Sequence, residues 1–430
     1  MFMGLLNFAV LWTVIRLTCY VFPDTTILPM TSLSVKLAPC LLALPLLLTS
    51  CGSSTSTTTP VTPTSPANLT FQVTGAVQTV FQYSTMACDS QDIPDDAARA
   101  FRDYMGVVHL IASHSINRAM TGPDVNHVQQ LCNIIYEDSN SADPSTFDDM
   151  GWLETYYTED GINVYAMVAL DYHPYRHNLP CGTTPADADN CWYGTDIAAT
   201  SSDGGYSFVS PAQGAPRLIA GSPYQFDSTY TATSGAFVPS NIVKRTDGYY
   251  YVVVSMVGRG VQKTGDCVLR TQNLADPQSW RAWDGTGYTI QFVDPYPTPP
   301  ANPAANACTV VSAANLISPM RNLLELPNQQ GYLGILYSQN TDSHGNVTFN
   351  TYSTTSLDLI NWTAPVLILS LPETLGTSPS TYAYPSLIDP NSTSRNFNTM
   401  GSSGYLYLTH LMTGYDRDLV RYPVTISGLQ

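Results

Sequence analysis

The stretch Asn241-Ile-Val-Lys-Arg-Thr-Asp-Gly-Tyr-Tyr-Tyr-Val-Val-Val-Ser-Met-Val257 decides the fold. An apolar run meets Thr246-Asp247-Gly248, and a strongly apolar run follows. Asp-Gly between apolar runs is a hairpin signal, because the glycine adopts the positive φ that a tight turn needs. The same unit recurs along the chain. Ala98–Gly106 leads into Val107–Ser113. Trp152–Thr158 passes through Glu159-Asp160-Gly161 into Ile162–Leu170. Met320–Leu326 passes through Pro327–Gly331 into Tyr332–Ser338. A weaker copy runs Tyr384–Ile388, makes a longer excursion to Gly404, and continues as Tyr405–Leu411.

A second element follows some of these hairpins. Ser201-Ser-Asp203-Gly-Gly205-Tyr-Ser-Phe208 has an acid in a turn and an aromatic a few residues on. Arg270–Trp280 and Ser356-Leu-Asp358-Leu-Ile-Asn-Trp362 are similar. In such a turn the carboxylate accepts its own backbone N–H groups and the aromatic packs between sheets. Asp103, Asp160, Asp203, Asp247 and Asp358 are therefore expected to be turn residues.

Five hairpin-led units in the body of the chain predict an all-β fold, a five-bladed β-propeller spanning residues 69–430. The arrangement resembles the five-bladed propeller glycoside hydrolases of the arabinanase, levansucrase and invertase group, and Ser201–Phe208 looks like the Asp box of sialidases. The resemblance covers most of residues 75–426, and rests on turn motifs and unit spacing. It implies carbohydrate as substrate. Closure is expected by pairing Leu69–Val73 or Val77–Tyr83 beside Leu419–Ile426, which removes exposed edges. A pair of β-sandwiches is the competing architecture.

The chain has 430 residues, 33 Asp+Glu against 17 Lys+Arg, and a net charge of -16. That balance argues against nucleic acid as a partner, since phosphate binding needs clustered cations. Residues 1–50 hold two apolar runs, and the second ends Leu48-Thr49-Ser50-Cys51. This reads as an export signal, with Met30 an alternative initiator. The ending resembles the bacterial lipoprotein box, with Cys51 as the lipidated residue. The Ser/Thr/Pro-rich segment 51–68 then serves as a tether. The expected location is the bacterial cell envelope, at the outer membrane or cell surface, with a bilayer contacted through the anchor only and the protein a monomer. The six body cysteines imply disulfides. Local pairing gives the shortest loops: Cys88–Cys132, Cys181–Cys191 and Cys267–Cys308. No cofactor is expected. The acid-rich composition admits a structural calcium, although no calcium-loop motif occurs. His173 and His177 form an isolated H-x-x-x-H pair without obvious further ligands.

Propeller geometry places starts of inner strands, and ends of second strands, at one end of the axis. That end collects Asp92, Asp95 and Arg99, then His114 and Arg118, from the first unit. The second adds Trp152, Glu154, Asp171, Tyr172 and His173. Asn241 comes from the third unit, Arg321 from the fourth, and Tyr384 from the fifth. Glycosidic cleavage needs one protonated and one ionised carboxyl. Asp92 or Asp95 matches the base by position, and Glu154 or Asp171 is the candidate acid. Arginines hold carboxylates or hydroxyls; Trp152 and Tyr172 offer stacking faces. The function expected is glycoside hydrolysis. The alternatives are a glycan-binding propeller without catalysis, and a polysaccharide lyase built on His114, Tyr172, His173 and Arg118.

Overall fold

Strand β13 (Tyr250–Val257) is apolar on both faces because both are covered. Tyr251 and Val253 pack into one apolar cluster, Val252, Val254 and Met256 into another. Alternation of side chains across a strand sends neighbouring residues to opposite sides, so a sheet buried on both sides needs the uninterrupted run seen here. In this computed structural model, residues 68–429 are described, apart from 183 and 185–189. The expected leader, Cys51 and most of the tether lie outside the described residues.

The chain opens with β1 (Thr70–Val73) and β2 (Gln78–Phe81). The first unit is β3 (Arg99–Arg102), β4 (Val108–Ile111), β5 (Met120–Gly122) and β6 (Gln129–Gln130). The second is β7 (Gly151–Tyr157), β8 (Val164–Tyr172), β9 (Tyr193–Ser201) and β10 (Leu218–Gly221). A strand β11 (Ser234–Phe237) follows. The third unit is β12 (Val243–Lys244), β13, β14 (Gly265–Thr271), β15 (Arg281–Trp283) and β16 (Tyr288–Ile290). The fourth is β17 (Asn322–Glu325), β18 (Tyr332–Thr341), β19 (Val347–Ser356) and β20 (Val366–Glu373). The fifth is β21 (Thr381–Ile388), β22 (Ser403–Leu411) and β23 (Arg417–Ser427). Each unit is an antiparallel meander.

Apolar clusters join the units in a ring. Phe101 and Ile111 pack against Leu153 and Tyr156 between units one and two. Met167 and Ile219 meet Val252 and Trp280 between two and three. Tyr251 and Val268 meet Leu323 and Trp362 between three and four. Leu324 and Ile335 meet Leu387 and Leu406 between four and five. Tyr407 and Leu419 return to Val108 and Leu110 of unit one. A sandwich pair has no such cyclic set of interfaces. Both β1 and β2 pair with β23, so the first strands of the chain complete the last sheet, as expected.

Strand β11 was not foreseen. It runs parallel to β9 and antiparallel to β13, fusing the second and third units into one ten-stranded sheet. Gly235 there has φ +118, and a Cβ would stand 2.0 Å from the Gly194 carbonyl oxygen. Only glycine permits both that dihedral and that approach.

The loop after β21 closes the far end of the ring. Asn396 accepts from Thr158 N at 2.8 Å and donates to Thr158 O at 3.0 Å. Asn398 donates to Ile242 O, Asn398 O accepts from Glu325 N, and Arg102 donates to Ser394 O. The loop thereby touches inner-strand segments of all four other units.

The turn acids bind their own loops. Asp203 accepts from Tyr206 N and Ser207 N, Asp358 from Ile360 N and Asn361 N, and Asp103 from Met105 N and Val107 N. Asp160 and Asp247 do likewise. Phe208, Trp280 and Trp362 are buried. All three disulfides form in the local pairing, with Cα–Cα distances of 5.5, 6.2 and 6.2 Å.

Candidate active site

Inner strands begin at the end of the axis opposite the closing loop, and acids gather there. Asp95 precedes β3. Its Oδ1 accepts from the Tyr384 hydroxyl at 3.1 Å and from Arg417 Nη1. Its Oδ2 lies 3.7 Å from His114 Nε2. His114 stands over Trp152, with ring centroids 5.2 Å apart. Tyr384 reaches Asp95 through an irregularity: β21 shifts register between Ala383 and Ser386, and Tyr384 has φ +55. A bulge of this kind re-aims a side chain at the cost of local strain. Arg321 lies over the Tyr384 ring at 5.1 Å and the Tyr337 ring at 5.5 Å.

Below this layer, Asp96, Arg99, Glu154, Asp171, Asp196 and Asp266 come from the first three units. Burial pushes Asp96 up to about 6, against the opposing pull of Arg99 and Arg321. Burial also raises Glu154 well above the usual carboxyl range, helped by nearby Asp96. Asp196, fully buried with neither oxygen partnered, is raised well above its ordinary value by burial and then by Asp171. Asp171 is moved to about 7 by burial, with Asp95 and Asp149 adding to the shift. The Trp192 indole N–H approaches Asp171 without meeting hydrogen-bond geometry. Asp266 is pushed to about 7 by burial, although its Oδ2 accepts from Met320 N at 3.1 Å. In each case desolvation disfavours the charged form.

Arg99 is 2% exposed. Its Nη2 donates to Pro239 O at 2.8 Å, while Nε and Nη1 have no partner. No ion pair joins it to Glu154, whose Oε2 is also unpartnered. The axial end thus holds buried donors and acceptors left free for water or substrate. A cleft of about 370 Å³ opens beside His114, walled by Arg176 and Tyr415 among others.

Asp95, Arg99, His114, Trp152, Glu154, Asp171 and Arg321 lie in this group. His173 flanks it, its ring 5.1 Å from Trp192, and burial lowers it to about 4. Four expected members stand elsewhere. Asp92 accepts from Cys88 N at 2.9 Å and Gln130 Nε2 at 2.8 Å, which fixes the loop beside the Cys88–Cys132 disulfide. Arg118 pairs with Asp89 at 2.6 Å in the same loop region. Tyr172 alternates with Asp171 on β8, so it faces the other way and donates to Ala142 O. Asn241 accepts from Asn322 Nδ2 and Leu323 N, tying unit three to unit four. In the sequence Asp96 stands with Asp92 and Asp95 as an acid of the loop before β3, whereas Asp196, Asp266 and Arg417 carry no signal there. Asp196 and Asp266 sit within strands, where a single acid makes no pattern, and Arg417 belongs to no motif.

His173 and His177 do not act together, since His177 pairs with Asp149 at 2.9 Å. Among the described residues, no group of three or more His, Cys, Asp or Glu side chains is placed to hold a metal ion.

No protein-family model matches the chain, and no curated protein matches it. Among solved structures it is similar to a Cellvibrio cellulosa α-L-arabinanase complexed with arabinohexaose, at 11% identity, over 76% of this chain and 90% of that one, with a TM-score of 0.41. It is similar to a glycosyl hydrolase from Bacteroides ovatus at 10% identity, over 84% and 94%, TM-score 0.43. A putative glycosidase from Bacteroides thetaiotaomicron matches at 11%, over 82% and 96%, TM-score 0.44. The fold itself stands on the ring of sheets: the chain is an all-β propeller.

Proposed function

We propose that the chain is a glycoside hydrolase, with Asp95 as the base or nucleophile and Asp171 as the acid. One observation carries this reading. A carboxylate ion-paired with Arg417 and a carboxyl moved to about 7 come from different units to the same end of the axis. Acid and base roles need two carboxyls whose surroundings separate their protonation. Asp171 is favoured over Glu154 as the acid because it lies at the open end of β8 and is the more exposed of the two. His114 and Trp152 then contact the sugar, with Arg321 and Arg99 holding hydroxyls or neighbouring carboxyls.

Export and a lipid anchor at Cys51 belong to the same proposal, supported by the Leu48-Thr49-Ser50-Cys51 ending and by three disulfides, which persist in oxidising compartments. A monomer acting on an envelope-accessible glycan completes it.

The test is a glycan panel with product mass analysis, run on the unaltered chain and on Asp95→Asn, Asp171→Asn and Glu154→Gln. Turnover is expected in the first and a loss of several orders of magnitude in the Asp95 and Asp171 variants. Unchanged turnover in both overturns the assignment. A second reading, glycan binding without cleavage, is favoured by the occupation of Asp95 Oδ1 by both Arg417 and Tyr384. Binding with no product of altered mass supports it.

A further inference from the structure

A second cleft lies on the outside of the ring, between the outer strands of units two and three. It measures about 800 Å³ and runs along residues 143–147, the segment leading into β10, and the segment after β16. Small-molecule sites fall in the range of about 300–1,000 Å³. Phe147 and Tyr296 form an aromatic corner in its wall, edge to face at 5.8 Å. Phe147 is held there at φ +49, outside the conformations an aromatic residue prefers. Three glutamines, Gln213, Gln278 and Gln291, supply amides that both donate and accept.

The only arginine of the lining is already engaged. Arg217 donates to Thr146 O, Phe147 O and Pro211 O. The remaining charges, Asp143 and Asp294, are acidic. An anion would meet no free cation here. A neutral polyol would meet amides, carboxylates and ring faces, the groups that bind hydroxyls and sugar C–H surfaces.

Behind the corner is a recess of about 30 Å³ that shares Phe147, Leu218 and Tyr296 with the cleft. Such a volume holds one water or one hydroxyl. Asp149 lines it and is 3% exposed. Its Oδ2 is on His177 Nε2, the His173 backbone N–H approaches the carboxylate without meeting hydrogen-bond geometry, and Oδ1 is left without a partner. A buried acceptor left unsatisfied is costly, and a ligand hydroxyl in the recess satisfies it. Leu170 and Tyr172 line the recess, whereas Asp171 between them faces the axis, so the two sites lie on opposite faces of β8.

We propose that this cleft is a second carbohydrate site, which takes a neutral oligosaccharide with its ring against Phe147 and Tyr296 and one hydroxyl on Asp149. The choice of a sugar rests in part on the carbohydrate reading of the axial site. The test uses the chain carrying Asp95→Asn, so that no probe is consumed, with cello-, xylo-, manno- and arabinohexaose. Calorimetry is expected to give a Kd of about 1 mM or tighter for at least one. Amide hydrogen exchange is expected to slow in residues 143–149 and 291–296. Adding Phe147→Ala weakens that binding at least about tenfold, and the surface pair Gln213→Ala/Gln291→Ala weakens it about fivefold. Absence of protection in these segments with every probe overturns the proposal, as does unchanged affinity in both variants. Cleavage by the unaltered chain without protection in the cleft overturns this proposal alone. Protection in the cleft with no glycan cleaved overturns the hydrolase reading alone.

Discussion

Replacing Asp266 by Asn tests whether the axial acids are neutral in the folded protein. Asp266 is 2% exposed, and burial moves it from 3.8 to about 7. The unfolded chain releases this proton near the ordinary carboxyl value, while the folded chain keeps it until near neutrality. Between those limits the folded state binds the extra proton, so stability from this group is complete at acid pH and is lost as pH rises through about 7. A shift of ~3 pH units at ~1.4 kcal/mol each corresponds to roughly 4 kcal/mol. An asparagine keeps the shape and still accepts from Met320 N, but does not titrate. Its amide nitrogen replaces the unpartnered Oδ1, a cost of roughly 1–3 kcal/mol that does not vary with pH. Urea unfolding of both proteins from pH 4 to pH 8 reads the difference directly. The stability of the variant relative to the parent is expected to climb by roughly 4 kcal/mol across that range, mostly between pH 4 and 7. A difference that stays flat with pH refutes the neutral-acid reasoning, whatever its absolute value.

Three further outcomes follow from the geometry. Asp171→Asn is expected to lower kcat/KM on a cleaved glycan by about 10²–10⁴-fold, and to abolish the basic limb of the parent's rate profile near pH 7. A parent profile without a limb in that region counts against Asp171 as the acid. Asn396→Ala removes both bonds to Thr158, and is expected to cost about 1–3 kcal/mol in urea unfolding while turnover on the same glycan is unchanged. Replacing Cys88 and Cys132 together by Ser is expected to cost about 2–5 kcal/mol by the same measure, because a separation of 44 residues is released in the unfolded chain.

Part of the candidate site is legible before the fold. Asp95, Glu154 and Asp171 were placed at one end because alternating strand direction fixes which turns share a face, and that rule needs only hairpin positions. It does not say which way a side chain points. Tyr172 offers a stacking face in the sequence, yet adjacent residues on β8 face opposite sides, and it points away from Asp171. Asp92 and Asp95 are equal candidates by position in the sequence, and the structure has Asp92 bonded to Cys88 and Gln130. Asp196 and Asp266 were passed over because a single acid in an apolar strand carries no pattern.

Sequence alone determined the hairpins and the turn acids, and it pointed to the local disulfides and to closure of the last sheet by the first strands. These are properties of short segments or of the chain ends, where turn chemistry and apolar periodicity act locally. Only the tertiary structure decided that β11 fuses two units, that Tyr384 is turned onto Asp95, and that burial raises Asp96, Glu154, Asp171, Asp196 and Asp266. Burial and mutual charge belong to groups brought together from five units, and no local stretch of the chain encodes the dielectric in which a carboxyl will sit.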